Sequence, residues 1–175
     1  MTKFLKFVLC IIFCLCLFFF FQTDSDKEKL GRYCAFCDSQ VINAQKFYED
    51  DLVLALYTHK PIFPGHALVI PKRHVERFEN LNEEEIAQIG RVIKKINNAV
   101  EKVFGTSTYL LLQKNGREAG QSVPHVHFHY IPRQTGDRSF IKFMLKMYFV
   151  NKWKPISQEE MQGNLEKMRK AIALE

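Results

Sequence analysis

Three histidines at alternate positions of one short apolar segment constrain this chain more than any other feature. Residues 120–133 read GQSVPHVHFHYIPR and hold half of the six histidines in the chain. In an extended strand successive side chains point to opposite faces, so His125, His127 and His129 are predicted to line one face about 6–7 Å apart. The residues between them are apolar, and we expect those to face a core. The segment therefore predicts a strand with a histidine-lined functional face and an apolar face that packs on the core.

Two other interpretations of the three imidazoles stay open on the residues alone. An exposed, half-polar strand would tolerate the rings, although the apolar alternation argues for a packed opposite face. All three rings could instead bind one metal ion, although two cysteines elsewhere in the chain compete for such an ion. Each ring carries two nitrogens that need partners, so burying the cluster requires hydrogen bonds or a ligand.

The segment resembles the signature of the histidine triad (HIT) family, His-x-His-x-His with apolar spacers, preceded here by Gln121-Ser122. A second match lies upstream, where residues 64–74 read PGHALVIPKRH and are similar to the family's Gly-His-x-Leu-Val-Ile-Pro-Lys-x-His segment. The resemblance covers residues 33–133. It implies an α+β fold, with a HIT-like antiparallel β-sheet, one long helix and a C-terminal helix, and it implies a homodimer.

The resemblance also implies a nucleotidyl hydrolase that cleaves a nucleoside phosphoramidate or a dinucleoside polyphosphate through a nucleotidyl-histidine intermediate. His127 would be the nucleophile, because a neutral imidazole offers a nitrogen lone pair at neutral pH. His129 would assist the leaving group, and His66 would lie near the triad and orient it. A nucleotidyl transferase and a non-catalytic nucleotide- or metal-binding module are the competing functions, and a pure binder would not need three aligned imidazoles.

The predicted substrate-binding residues are Asn115, Gln121 and Ser122. They belong to the loop 114–122, whose small and amide residues leave backbone N–H groups able to face an anion. The sequence departs from the family at Thr58, where members often carry an acidic residue that binds ribose hydroxyls. The base and sugar preference of this chain is therefore left open.

Cys34 and Cys37 form a Cys-x-x-Cys pair at the entrance of the domain, a spacing found in metal knuckles, redox pairs and disulfides. With His74 and His125 they would complete a Cys₂His₂ zinc site, a pattern that a zinc-bearing branch of the HIT family has. We expect this zinc to be structural, and we expect no redox cofactor. A disulfide is the alternative if the domain lies in an oxidising compartment.

The amino-terminal segment is predicted to be a membrane anchor. Residues 4–21 are apolar except for Lys6. This run is short for a span of ~20 residues, yet bulky residues stand where a signal peptidase requires small ones. We therefore expect a signal anchor or transmembrane helix at 1–21, a polar tether at 22–31 and a catalytic domain at 32–175. A cleaved signal is the alternative, and the side of the membrane is left open.

The charge balance favours a small anionic ligand. The net charge is +6, and it falls to +4 when Lys3 and Lys6 are set aside with the amino-terminal segment, because no acidic residue leaves with them. This excess is too small to indicate nucleic acid binding, but it suits a nucleotide substrate.

The remaining pattern predicts a meander of strands and two amphipathic helices. Strands are expected within 47–57, 66–71 and 108–113. Asn82 with Glu85, and Ser157 with Glu160, have the spacing of helix capping boxes, and Gly105 is placed to end the first of these helices. The aromatic and basic segment 140–153 has no assigned function. It could form core, a dimer contact, a wall of the substrate pocket or a membrane-facing surface, and core or dimer contact is favoured.

Overall fold

The computed structural model describes residues 33–134 and 139–174, apart from the side chains of Phe140 and Asn151. Within these residues, no helix has the length and apolar character needed to cross a membrane. The anchor and the tether predicted for residues 1–31 lie outside the described part of the chain.

Five strands and four helices make up most of the described chain. The strands are β1 (Lys46–Glu49), β2 (Val53–Tyr57), β3 (Ala67–Pro71), β4 (Tyr109–Gln113) and β5 (Phe128–Pro132), and the helices are α1 (Ser39–Gln45), α2 (Glu83–Phe104), α3 (Phe140–Phe149) and α4 (Gln158–Ala173). The strands form one antiparallel sheet in the order β1-β2-β3-β5-β4. The predicted α+β fold with an antiparallel sheet, a long helix and a C-terminal helix is confirmed.

The middle of the sheet is formed by β2 and β3, which are buried at every position. They pair from Val53 opposite Pro71 to Tyr57 opposite Ala67. A strand that is covered on both faces requires a continuous apolar run rather than an alternating one, and both strands have such a run. The buried β3 then pairs with β5, which carries His129.

Signals at both ends determine where α2 begins and ends. The Asn82 side chain accepts a hydrogen bond from the Glu85 N–H at 2.8 Å, and the Glu85 carboxylate accepts one from the Asn82 N–H at 3.0 Å. Gly105 ends the helix with φ 73°, a left-handed conformation that glycine adopts at little cost. The buried stripe packs on the sheet and on α4, and it comprises Ile89, Val92, Ile93, Ile96, Ala99 and Val100. The predicted capping box and terminal glycine are confirmed.

The segment with the three histidines is less regular than predicted. Strand β5 begins at Phe128, so only His129 of the three histidines lies in the regular strand. The residues before it pair with a loop instead of a strand, because the Val126 N–H donates to the Val75 carbonyl at 2.6 Å. The opposite face is packed as expected, since Val126 and Tyr130 are fully buried in the main core.

The C-terminal region adds two helices of different character. Helix α4 follows Ser157, whose hydroxyl accepts from the Glu160 N–H at 3.1 Å, and it buries four side chains: Met161, Leu165, Met168 and Ala171. Helix α3 buries Phe143 in a small cluster with three residues of other segments, Ile62, Phe63 and Ile131. The predicted core contact of segment 140–153 is thus made through Phe143, whereas Ile141 and Tyr148 are exposed.

Candidate active site

A cleft of about 300 Å³ opens where β3, β5 and α1 approach one another, and both His127 and His129 line it. Its apolar wall includes Phe36, Val41, Ile62, Leu68, Leu112 and Ile131, and its polar wall includes Thr58, Lys60, His66, Lys114 and Ser122. A pocket with a broad apolar wall and a few convergent polar groups suits a ligand that joins a flat ring to an anion.

The orientation of His127 is fixed by its own backbone. Its Nδ1 lies 2.7 Å from the carbonyl oxygen of His125. A carbonyl oxygen only accepts, so Nδ1 carries the proton and Nε2 keeps its lone pair. The residue is 4% exposed, and this burial lowers the pKa of His127 below its ordinary value. The ring is therefore neutral at physiological pH, with a nucleophilic nitrogen available to the cleft.

A second chain of hydrogen bonds fixes His66 and His129. The Ile62 N–H donates to His66 Nδ1 at 3.2 Å, so the proton of the neutral His66 ring is on Nε2. That nitrogen lies 3.1 Å from His129 Nδ1 and donates to it, which leaves the His129 proton on Nε2. Burial lowers the pKa of His66 to about 3 and that of His129 to about 2. The cleft thus receives an N–H from His129 and a lone pair from His127.

A tight turn before β3 places His66 at this position. Gly65 has φ 85°, and a Cβ added there would lie 2.9 Å from the ring of Phe104. Both observations require glycine at this turn. The predicted proximity of His66 to the triad is present, and its ring contacts His129 with a centroid separation of 5.3 Å.

Ser122 is the predicted substrate-binding residue that does line the cleft. Gln121 lies behind it, because its Oε1 accepts from the Gly116 N–H at 2.7 Å and its Nε2 donates to the carbonyls of Glu76 at 2.9 Å and Val123 at 3.1 Å. The backbone uses the hydrogen-bonding capacity of this amide. In the structure Gln121 braces the loop, and its contact with substrate stays a prediction.

Asn115 is also turned away from the cleft. Its Oδ1 accepts from the Phe78 N–H at 2.9 Å, and its Nδ2 donates to the Glu79 carboxylate at 2.8 Å. The backbone N–H groups of residues 119–121 donate to carbonyls within their own loop. Fewer backbone N–H groups of this loop are available to a phosphate than predicted. Asn115 contacts residues 78–79 in the structure, and its contact with substrate stays a prediction.

The four predicted metal ligands lie together. The ligand atoms of Cys34, Cys37, His74 and His125 are all within 4.8 Å of one another. The Cys37 Sγ lies 3.2 Å from His74 Nδ1 and 3.6 Å from His125 Nδ1. These separations are close to the edge of roughly 3.5 Å expected for thiolate and imidazole ligands arranged tetrahedrally around zinc.

The backbone also prepares His125 for a metal. Its Nε2 lies 2.9 Å from the Pro71 carbonyl and donates to it, which leaves the Nδ1 lone pair on the side of Cys37. Both cysteines in the described residues are thiols, so the structure does not adopt the alternative disulfide. Two sulfurs and two imidazoles form a donor set that fits zinc.

Three residues that line the cleft, two lysines and one phenylalanine, were not predicted from the sequence as site residues. Lys60 and Lys114 line the cleft, and Phe36 packs edge-on against His127 with ring centroids 5.2 Å apart. Lysines are ordinarily solvated surface residues, so neither carried a signal. The position of Lys114, one residue after β4 and close in sequence to the triad, was the observation that could have identified it.

Comparison with known proteins agrees with this geometry. Residues 39–136, more than half of the chain, match the family model of the HIT domain. The chain belongs to the HIT domain family. Its fold is similar to a zinc-bound histidine triad family protein from Mycobacterium smegmatis, with a TM-score of 0.62 and 26% identity over 81% of this chain and 94% of that chain.

Two relatives with named activities are similar in sequence. The asymmetrical bis(5'-nucleosyl)-tetraphosphatase of Schizosaccharomyces pombe is 42% identical over 98 residues, which is 56% of this chain and 54% of that protein. An adenosine 5'-monophosphoramidase of the same organism is 42% identical over 102 residues, which is 57% of this chain and 74% of that protein. The chain thus matches about half the length of the tetraphosphatase.

Proposed function

We propose that the protein is a HIT-type nucleotidyl hydrolase, which cleaves a nucleoside phosphoramidate or a dinucleoside polyphosphate through a nucleotidyl-histidine intermediate. The observation that carries this proposal is the neutral His127 ring, held through Nδ1–H on the His125 carbonyl so that Nε2 is available to the cleft. The activities named for the two Schizosaccharomyces pombe relatives support both classes of substrate.

The chemistry follows from the two assigned tautomers. Nε2 of His127 attacks the phosphorus and forms an N–P bond, while the bond to the leaving group breaks and its electron pair departs with that group. The Nε2–H of His129 stabilises the departing amine or phosphate oxygen and can supply its proton. The hydroxyl of Ser122 is placed to donate to a phosphate oxygen.

A water molecule completes the cycle. It attacks the same phosphorus, and the N–P electron pair returns to Nε2 of His127. The water proton replaces the one that Nε2 of His129 gave to an amine leaving group, or passes to solvent when a phosphate has left as an anion. The products are a nucleoside monophosphate and the free leaving group. A neutral His127 is regenerated because its proton stays on Nδ1 throughout, hydrogen-bonded to the His125 carbonyl.

We also propose that Cys34, Cys37, His74 and His125 hold a structural zinc ion. The donor set and the orientation of His125 support it, as does the zinc-bound state of the Mycobacterium smegmatis relative. When bound, zinc would cross-link the segment before α1 to the histidine segment. His125 would be fixed, and with it the carbonyl that orients His127.

The test of the activity is a trapping experiment. Purified protein is incubated with adenosine 5'-phosphoramidate and with diadenosine tetraphosphate, quenched during turnover and analysed by peptide mass spectrometry. We expect adenosine monophosphate as product and an adenylyl adduct on the peptide that contains His127. An adduct on another residue would overturn the mechanism. Release of product only when an added alcohol or amine accepts the nucleotidyl group would indicate a transferase.

A homodimer is part of the same proposal. Strand β4 lies at the edge of the sheet, and its residues Tyr109, Leu110 and Leu111 are 41%, 37% and 42% exposed. An apolar edge strand of this kind favours a partner that covers it. Sedimentation equilibrium of the detergent-solubilised chain should give twice the protomer mass, and a protomer mass at micromolar concentration would contradict the dimer.

Attachment to a membrane through residues 4–21 is a further proposal, supported by the apolar run in the sequence. The full chain should stay with membranes after an alkaline carbonate wash, and deletion of residues 1–21 should release it. An amino terminus that begins near Asp24 in the mature protein would show a cleaved signal instead.

A further inference from the structure

The wall of the cleft is positively charged. Lys60 and Lys114 are both part of it, and among the described residues no aspartate or glutamate lines it. A cleft that has apolar walls and charges of one sign concentrates ligands of the opposite sign. The phosphorus that His127 attacks carries one negative charge in an ester or amidate, whereas a polyphosphate chain carries several. A polyphosphate therefore brings more negative charge to the lysines of the cleft than a single phosphate does.

Lys114 is held beside the reacting groups by its own loop. The Nζ, Cδ and Cε atoms lie 3.5, 3.7 and 3.9 Å from the point where a Cβ on Gly120 would stand. The side chain therefore runs along a backbone that has no side chain of its own at that point. Gly120 has φ 83°, so another residue there would be strained, and its Cβ would lie in van der Waals contact with the lysine.

The ammonium group acts on both catalytic rings. Burial is the largest cause that lowers the pKa of His127 and of His129, and the positive charge of Lys114 lowers both further. Among the described residues no carboxylate pairs with this lysine. A half-buried cation next to two imidazoles is stabilised when an anion enters the cleft.

We infer that Lys114 is a specificity-determining residue whose ammonium binds the phosphate oxygens of the leaving group, so that the cleft selects nucleoside polyphosphates over phosphoramidates. This inference rests on the proposed function. Negative charge accumulates on a polyphosphate leaving group as its P–O bond breaks, so Lys114 stabilises the transition state more than the bound substrate. A departing amine gains a proton and offers no negative charge to this lysine.

The test compares two substrates in each variant of the full chain. The value of kcat/KM is measured for diadenosine tetraphosphate and for adenosine 5'-phosphoramidate, and their ratio is the readout. In Lys114→Gln the ratio should fall by about tenfold or more, because a charge-assisted contact is lost for only one of the two substrates. Lys114→Arg keeps the positive charge and should keep the ratio within about threefold.

A matched control removes the same charge elsewhere. Lys94 is exposed on α2, and Lys94→Gln should leave the ratio within about twofold of wild type. Raising the ionic strength should lower the tetraphosphate kcat/KM more steeply for wild type than for Lys114→Gln. The ratio does not depend on the folded fraction of a preparation, so a variant that is merely less stable does not imitate the effect.

The outcomes separate this inference from the proposed function. Wild-type protein that hydrolyses neither compound would overturn the proposed function itself. Wild-type protein that hydrolyses both, together with a ratio in Lys114→Gln within about twofold of wild type, would overturn only the role of Lys114.

Discussion

His125 and His127 lie two residues apart in the irregular histidine segment, and their imidazole rings are held in opposite orientations. At His125 the Nε2–H donates to the Pro71 carbonyl and Nδ1 is left for Cys37. At His127 the Nδ1–H donates to the His125 carbonyl and Nε2 is left for the cleft. One backbone carbonyl per ring decides which nitrogen is available. A single repeat therefore leaves Nδ1 available to the Cys/His cluster at one end and Nε2 available to the cleft at the other, as the proposed metal ligand and the proposed nucleophile require.

The irregular backbone is what makes this division feasible. In a regular antiparallel strand the carbonyl of His125 would bond to a neighbouring strand. Here the ladder begins only at Phe128, so that carbonyl accepts from the side chain two residues further along the chain. The regular part of the strand holds His129, whose ring is fixed instead by His66, the residue just before β3. The four predictions that follow test this division of roles.

Removal of the nucleophile should have the largest effect. His127→Ala should lower kcat by about 10⁴-fold or more, because no nucleotidyl adduct can form. Zinc content and melting temperature should stay near the wild-type values, since the ring lies on the cleft side of the segment. Steady-state kinetics and metal analysis of one preparation measure both. Turnover at the wild-type rate would contradict the role of His127, and loss of zinc would contradict the division between the two ends.

His129→Ala should have a smaller effect that depends on the leaving group. With an amine leaving group we expect kcat to fall by about 10²- to 10³-fold, the usual contribution of a positioned acid. With a p-nitrophenyl ester of adenosine monophosphate, whose leaving group needs no proton, the defect should shrink to within about tenfold. An equal defect for both substrates would assign His129 a structural role.

Cys37→Ser should act at the other end of the segment. The variant should lose the single zinc expected per chain on the basis of the ligand count, and its melting temperature should fall because a structural cross-link is lost. Activity should fall by about tenfold through looser positioning of His125. Chelation of the wild-type protein should reproduce both changes, and added zinc should reverse them only in the wild type. A metal-free wild-type protein of unchanged stability would exclude the site.

Much of this molecule follows from local patterns in its sequence. The capping box at Asn82, the terminal Gly105 and the apolar runs of β2 and β3 each depend on a few neighbouring residues. The clustering of Cys34, Cys37, His74 and His125 and the proximity of His66 to the triad came from the family resemblance, because members of a family share a fold. These features were predicted because short-range chemistry or a shared fold determines them.

The remainder depends on backbone groups that only the fold brings together. The tautomers of His66 and His125 follow from the Ile62 N–H and the Pro71 carbonyl, which no side-chain pattern indicates. Gln121 and Asn115 were assigned to substrate because free amides suit an anion, but tertiary contacts use those amides first. A sequence gives the identity of a polar group and not the partner that already satisfies it.

The smallest and most specific predicted effect concerns Gln121, because its amide contacts the carbonyl oxygen of His125, the group that orients His127. Its Nε2 lies 3.3 Å from the carbonyl oxygen of His125, which also accepts from His127. Gln121→Met removes this donor while keeping most of the side-chain volume. We expect kcat to fall by about three- to tenfold with little change in KM, since the amide contacts the carbonyl that orients His127.

Two comparisons distinguish positioning from general destabilisation in Gln121→Met. Zinc content should stay at the wild-type level, because His125 keeps its bond to Pro71. Asn115→Ala breaks the loop contact to residues 78–79 and serves as the matched control; it should lower the melting temperature without a comparable change in kcat. A rise in KM with unchanged kcat in Gln121→Met would mean that this amide does contact the substrate.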